Sequence, residues 1–187
     1  MHEISNETLR TIAQRYSCRD FDPSPPSDAE IAALVDAALA APSAVNKQPW
    51  RIIVIKDKSL IDDMDAAGMQ EMAAAEDRYW YDLMVERGSR LFYGAPCMIM
   101  IASDGSDNAP LDCGIVSQNI ALAAHAMGLG SCICGLARIP FSGGKGQEFK
   151  KRMKFPEGYV FGMTVLVGAA KSGKAPHDLD HAKVTYI

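Results

Sequence analysis

Two short stretches of this 187-residue chain concentrate side chains able to do chemistry. The first is Arg15-Tyr16-Ser17-Cys18-Arg19-Asp20-Phe21, where two guanidinium groups flank a hydroxyl. A guanidinium is a rigid, permanently charged fork of donors. Arg15, Ser17 and Arg19 therefore suit a phosphate monoester or the polar edge of a planar ring. The second is Ala41-Pro42-Ser43-Ala44-Val45-Asn46-Lys47-Gln48-Pro49-Trp50. Pro42 stops the helix before it and Pro49 holds Gln48 extended. Ser43, Asn46 and Gln48 lie between, so this helix-to-strand corner offers hydrogen bonds to a polar, planar ligand. Each stretch also has an ordinary reading: two surface arginines, and a turn whose Ser and Asn bond their own backbone.

The elements that must position these residues follow from spacing. Ser5 or Asn6 caps a first helix, with Leu9, Ile12, Ala13 and Tyr16 as its buried face. Ser27-Asp28-Ala29-Glu30 is a capping box that starts a helix burying Ile31, Leu34, Val35 and Ala38 and leading to Pro42. A strand runs from Arg51 to Ile55. Residues 59–90 read as helical, with Ile61, Met64, Ala67 and Met72 on one face and Gly68 as an interruption. Tyr79-Trp80-Tyr81 cannot all point into one core, so at least one is exposed or covers a pocket or another subunit. Buried strands are expected at 95–102, 131–136 and 159–167, with a strand-like run at Val184–Ile187. The helix from Pro110 to Met127 is apolar on nearly every side and is expected to be enclosed. Ser142-Gly143-Gly144-Lys145-Gly146 reads as a flexible loop before a short basic helix, 147–154.

Composition narrows the function. The length suits one domain, 1–187, with a C-terminal arm from about 171. Net charge is −4, which argues against nucleic acid as a partner and makes any anion site local. The longest apolar helix carries Asp112, Gln118, Asn119 and His125, so no membrane span is expected, and Met1–Ser5 does not open a signal peptide. Five cysteines without disulfide spacing indicate a reducing, cytoplasmic setting. Cys132 and Cys134 have no partner pair for a metal and read as buried small hydrophobes, and Cys18 is given no chemistry. Gly168-Ala169-Ala170-Lys171-Ser172-Gly173-Lys174 imitates a phosphate-binding loop, but Ala175 stands where a Ser or Thr should hold magnesium. Gly128-Leu129-Gly130 follows a helix, the reverse of a dinucleotide fingerprint. His2, His125, His177 and His181 form no recognisable Ser-His-acid order.

The corner resembles the APSxxNxQPW segment of the nitroreductase family, and Arg15 to Phe21 resembles its RxSxRxF opening. Asp112-Cys113-Gly114-Ile115-Val116-Ser117-Gln118-Asn119, running on to Gly128-Leu129-Gly130-Ser131-Cys132, resembles a third block, and the three occur in the family's order. The resemblance implies an α+β fold: a central, mostly antiparallel sheet flanked by helices, in an interlocked homodimer whose C-terminal tail adds a strand to the partner's sheet. It implies FMN as cofactor, with Arg15, Ser17 and Arg19 on the phosphate and the pyrimidine edge. Pro42, Ser43, Ala44 and Asn46 would line the ring from the partner subunit, Gln48 would reach the ring or support the corner, and Ile133-Cys134-Gly135 would bring a backbone amide to N5. The family's tail arginine after a proline is missing here, leaving His181 or Lys183 as substitutes. The implied activity is NAD(P)H-dependent reduction of a small-molecule acceptor such as a nitroaromatic or quinone, with no catalytic side chain and no metal. Two alternatives are a non-catalytic flavin-binding or storage protein and a specialised relative that fragments flavin or dehalogenates.

Overall fold

The computed structural model describes residues 6–88 and 90–187. Ser5 as a cap and the reading of Met1–Ser5 and His2 lie outside these residues, as does Ser89.

Four strands form one antiparallel sheet in the order β1-β2-β4-β3: β1 Trp50–Ile55, β2 Cys97–Ser103, β3 Gly130–Ile133 and β4 Val160–Gly168. The central strands read as unbroken apolar runs because both faces are buried. Side chains alternate across a strand, so Met98 and Met100 of β2 and Leu166 of β4 enter one core, while Ile99, Ile101, Val165 and Val167 enter the other. Helices α2 (Asp28–Leu39) and α5 (Ala109–Ala126) cover the second face. Helices α3 (Lys58–Ala74) and α6 (Gly146–Arg152), with a 3₁₀ segment at Gly135–Phe141, cover the first.

Local chemistry sets the boundaries. Asn6 accepts from the Leu9 amide at the start of α1 (Glu7–Gln14), and Ser27 and Glu30 form the expected reciprocal box on α2. Ile61, Met64, Ala67 and Met72 are all buried. Gly68 is a contact rather than a mere interruption: a Cβ there would lie 2.4 Å from Leu91 Cδ2 and 3.2 Å from Pro140 Cγ.

Some of these expectations need correction. The helix expected over 59–90 is two helices, α3 and α4 (Tyr79–Glu86), broken at Ala75, where the backbone turns extended. Its aromatics divide as the geometry of one helix requires: Tyr79 and Trp80 are exposed, while Tyr81 packs on the core. The strand expected at 131–136 ends at Ile133, because the chain turns into the 3₁₀ segment once the Cys134 amide has reached the Thr164 carbonyl. The presumed buried face of α1 is exposed, Leu9 at 43% and Ile12 at 48%, and α5 is enclosed on one side only, leaving Leu111 at 68%. Leu9, Ile12 and Leu111 lie on the outside of this single chain, where no described residue buries them. The basic helix expected at 147–154 runs Gly146–Arg152, and its first residue is close-packed: a Cβ at Gly146 would sit 2.4 Å from the Phe141 carbonyl oxygen. The run at 184–187 is no strand in the single chain and lies exposed.

Asp65 ties α3 to the segment after α4 by accepting from the amides of Leu91 (3.2 Å) and Phe92 (2.8 Å). Burial raises its carboxyl above the usual range, against the lowering effect of those amides. Asp65→Ala leaves both amides without that acceptor and is expected to cost about 2–4 kcal/mol in denaturant unfolding. Because the folded value is raised, the titration contribution of Asp65 is fully present below the ordinary carboxylate range and declines as pH rises through the folded value. Unfolding measured against pH should show that decline in the wild type and lose it in Asp65→Asn.

Candidate functional site

The Arg15–Phe21 loop is fixed by its backbone. Ser17 bridges to Ser131 in parallel, the Cys18 amide donates to the Ser131 carbonyl at 2.8 Å, and Phe21 bridges to Ala170. The Asp22 amide reaches the Ala169 carbonyl at 2.8 Å and the Lys171 amide the Asp20 carbonyl at 3.0 Å. Cys18 and Phe21 are buried and act as anchors. Gly130 permits the close approach, since a Cβ there would meet Cys18 Sγ at 2.8 Å. With Cys18 and Phe21 pointing inward, Arg15 and Arg19 remain at the rim.

They line a recess of about 150 Å³ together with Tyr16, Ser17, Lys174, Ala175 and His177. The Tyr16 hydroxyl holds the tail over it by donating to the Ser172 carbonyl at 3.1 Å; burial raises its pKa, so it stays a donor. Arg15 Nε is buried without a hydrogen-bond partner among the described residues. The Arg19 guanidinium sits 5.9 Å from the centre of the Tyr93 ring, and Tyr93 has a left-handed backbone, φ 54°. Among the described residues no carboxylate lines the recess. Its chemistry is that of an anion site of phosphate size; pockets that enclose a drug-sized ligand run to about 300–1,000 Å³.

Sequence reasoning missed Lys174 and His177. Lys174 lies within the stretch that imitates a phosphate-binding loop, and His177 directly follows Pro176. His181 and Lys183 are not brought to the recess. They form an exposed 3₁₀ turn in which Lys183 pairs with Asp180 at 3.7 Å.

The corner keeps its polar groups occupied. Ser43 Oγ accepts from the Gln48 amide, and Gln48 Nε2 donates to Asn46 Oδ1, each at 2.9 Å. Gln48 therefore supports the corner in this structure. Val45, Asn46 and Gln48 all have positive φ, so Gln48 is left-handed rather than extended as expected before Pro49, its amide held by Ser43 Oγ, and Val45 is 98% exposed. A β-branched residue held left-handed in solvent is strained, a feature that clusters at functional sites. The Ala44 amide donates to Asp112 Oδ1 of α5 at 3.3 Å, while Asp112 Oδ2 is buried without a partner among the described residues.

A single chain does not unite corner and recess. The corner enters β1 beside the Trp50–Ser103 pair, which continues to Val160; the loop joins β3 at Ser131, opposite Val167. These are opposite edges and opposite ends of the sheet, about 14 Å apart across the strands and about 23 Å along them. Ile133-Cys134-Gly135 belongs to the recess side, on the edge strand. Ile133 is exposed, Cys134 is buried, and Gly135 opens the 3₁₀ segment, where a first-turn amide has no helical acceptor.

A profile of the nitroreductase family matches residues 12–169. A crystal structure of a nitroreductase with bound FMN from Desulfitobacterium hafniense DCB-2 is 49% identical with a TM-score of 0.96, covering 98% of this chain and 100% of that one. Protein DrgA of Synechocystis sp. is 30% identical over 187 aligned positions, covering 87% of this chain and 83% of its own. A protein from Methanothermobacter thermautotrophicus named as a putative NADH dehydrogenase/NAD(P)H nitroreductase is also 30% identical, over 70% of this chain and 61% of its own length.

All five cysteines are free and buried. Burial pushes the Cys134 thiol up to about 12 and those of Cys97 and Cys113 up to about 11, and it raises Cys18 and Cys132 as well. A protonated thiol is a poor nucleophile. Native protein at pH 8 is expected to give no fast reaction with a thiol-counting disulfide reagent, and denatured protein to give five equivalents. A rapid native reaction would show that the loop or the edge strand opens.

Proposed function

The chain belongs to the nitroreductase family, and from that premise we propose that it is an FMN-dependent oxidoreductase that uses NAD(P)H to reduce a small-molecule acceptor. The observation that carries this reading is the cationic recess at Arg15, Ser17 and Arg19, whose size and charge fit the cofactor's phosphate. Among the described residues, the partnerless Arg15 Nε and the absence of a lining carboxylate support the fit. When bound, the cofactor supplies hydride transfer at its N5 between NAD(P)H and an acceptor such as a nitroaromatic or a quinone.

The chain supplies binding and orientation. One arginine with Ser17 takes the phosphate and the other faces the pyrimidine edge. The Gly135 amide is offered from the end of β3 as a donor toward N5. No side chain here acts as acid, base or nucleophile; the cysteines are buried with raised pKa values, which suits them to packing.

The reading includes a homodimer. Pro42, Ser43, Ala44 and Asn46 line the ring only if a second copy brings its corner to the recess, because the two lie at opposite ends of one sheet. The uncovered apolar surface of Leu9, Ile12 and Leu111, and of the tail at Leu179, Val184 and Tyr186, is what such a partner would bury. The tail from 171 then adds its last residues to the partner's sheet. Free cysteines fit a cytoplasmic setting. Among the described residues, no helix is long and apolar enough to cross a membrane.

The first test is the visible spectrum of the purified protein under anaerobic NADH or NADPH. A bound-flavin band that bleaches is expected. A yellow protein that neither nucleotide bleaches would replace the oxidoreductase reading with that of a flavin-binding protein, and a protein that takes up no FMN would end both. Light scattering after size exclusion should give twice the 20.2 kDa chain mass; a monomer that retains FMN would remove the corner from the site.

A further inference from the structure

We propose that the chain carries a second anion site, separate from the Arg15–Arg19 recess, at the C-terminal end of α6, and that this site binds a nucleoside polyphosphate.

The end of α6 and the turn after it form a cavity of about 480 Å³, whose lining includes Lys150, Lys151, Lys154, Phe155, Glu157 and Tyr159. That volume is within the range that holds a small organic ligand, whereas the Arg15–Arg19 recess has about 150 Å³. Three ammonium groups against one carboxylate leave a local surplus of positive charge in a chain whose net charge is −4. Arg51 adds a further cation, its guanidinium 5.7 Å from the centre of the Tyr159 ring. Lys150 Nζ lies 5.8 Å from the centre of the Phe155 ring.

Backbone geometry fixes the walls. The Phe155 amide donates to the Lys150 carbonyl at 2.9 Å and the Lys154 amide to the Lys151 carbonyl at 3.1 Å, which is a Schellman closure of α6. Two carbonyls that would repel an anion at a helix C-terminus are thereby occupied. The closure needs a left-handed residue, and Lys154 supplies it at φ 52°, where glycine is the usual choice. Strain of this kind clusters at functional sites. On the far wall the Tyr159 amide reaches the Pro156 carbonyl at 3.2 Å, with Gly158 at φ 77°.

Basic residues in a last turn also offset the helix dipole. That effect explains their presence but not how they divide. Arg152 pairs with Asp63 at 2.6 Å and with Glu148 at 3.9 Å. Arg51, Lys150, Lys151 and Lys154 form no ion pair among the described residues. Cations gathered in this way repel one another, and a polyanion relieves the repulsion. Lysine is a common phosphate binder, and the two rings offer a planar base a surface to stack on. Tyr159 precedes β4, while the Arg15–Phe21 loop joins β3 at Ser131, opposite Val167. Eight residues of strand put about 26 Å between them, so the two anion sites of one chain are independent.

The test is isothermal titration calorimetry of the purified protein with ATP, AMP and sodium tripolyphosphate. ATP is expected to bind more tightly than the other two, and to weaken as salt rises. Lys150→Ala and Lys151→Ala should each weaken ATP about ten-fold, the scale of one contact to a charged group. Lys154→Gly should do the same without lowering the thermal midpoint, because glycine removes the ammonium and eases the left-handed backbone. Arg152→Ala should leave ATP affinity unchanged, and Glu157→Gln should tighten it. Absence of ATP binding, or unchanged affinity in Lys151→Ala and Lys154→Gly, would overturn the site. Tripolyphosphate bound as tightly as ATP would overturn the assignment to a nucleoside. Binding lost in Arg15→Ala but kept in the lysine variants would move the anion to the recess and overturn the proposal as well.

Discussion

The site rests on a backbone clasp. Residues 17–22 are pinned on one side by Ser131 at the start of β3 and on the other by Ala169 and Ala170 just past β4, with the Lys171 amide closing the pairing onto Asp20. These are main-chain hydrogen bonds, so they fix the loop whatever its exposed side chains are. Two inward residues, Cys18 and Phe21, supply the packing. The clasp also decides where the tail goes: the strand that pairs with the loop continues into it. Cations from the two ends of the sequence meet because both ends hang from one pair of neighbouring strands.

The sheet behind this clasp has a core on each face. Methionines of β2 meet α3 and the 3₁₀ segment, while its isoleucines meet α2 and α5. A sheet buried on both sides is stiff, and it separates what lies at its opposite corners. The strained segment at Val45–Gln48 and the recess at Arg15–Arg19 occupy two such corners. Within one chain the sheet therefore keeps the two apart. Apolar residues of α1 and of the outer side of α5, such as Leu9, Ile12 and Leu111, are left exposed in one chain among the described residues.

Polar groups at the corner, mostly exposed, show how strain is sustained. The Ala44 amide is held by Asp112, and Asn46, Gln48 and Ser43 bond one another, so three left-handed non-glycine residues are kept in place by a small network. The carboxylate that anchors it retains one buried oxygen without a partner. A network of this kind holds the corner's backbone fixed.

Sequence alone determined the elements whose cause is local. Capping at Asn6 and Ser27–Glu30, the stop at Pro42, the apolar strands and the Ile61–Met64–Ala67–Met72 face follow from chemistry within a few residues. Spacing also singles out Arg15, Ser17 and Arg19 as a group, and the structure places all three on one recess. Contacts between distant segments were left to the tertiary structure. The break of α3 from α4, the early end of β3 and the exposure of Leu9 depend on which surfaces meet, and no short window of sequence contains both surfaces. The choice of Lys174 and His177 over His181 and Lys183 is of the same kind. Spacing along an irregular tail does not say which residue faces a loop some 150 positions earlier; the register of β4 and the clasp decide it.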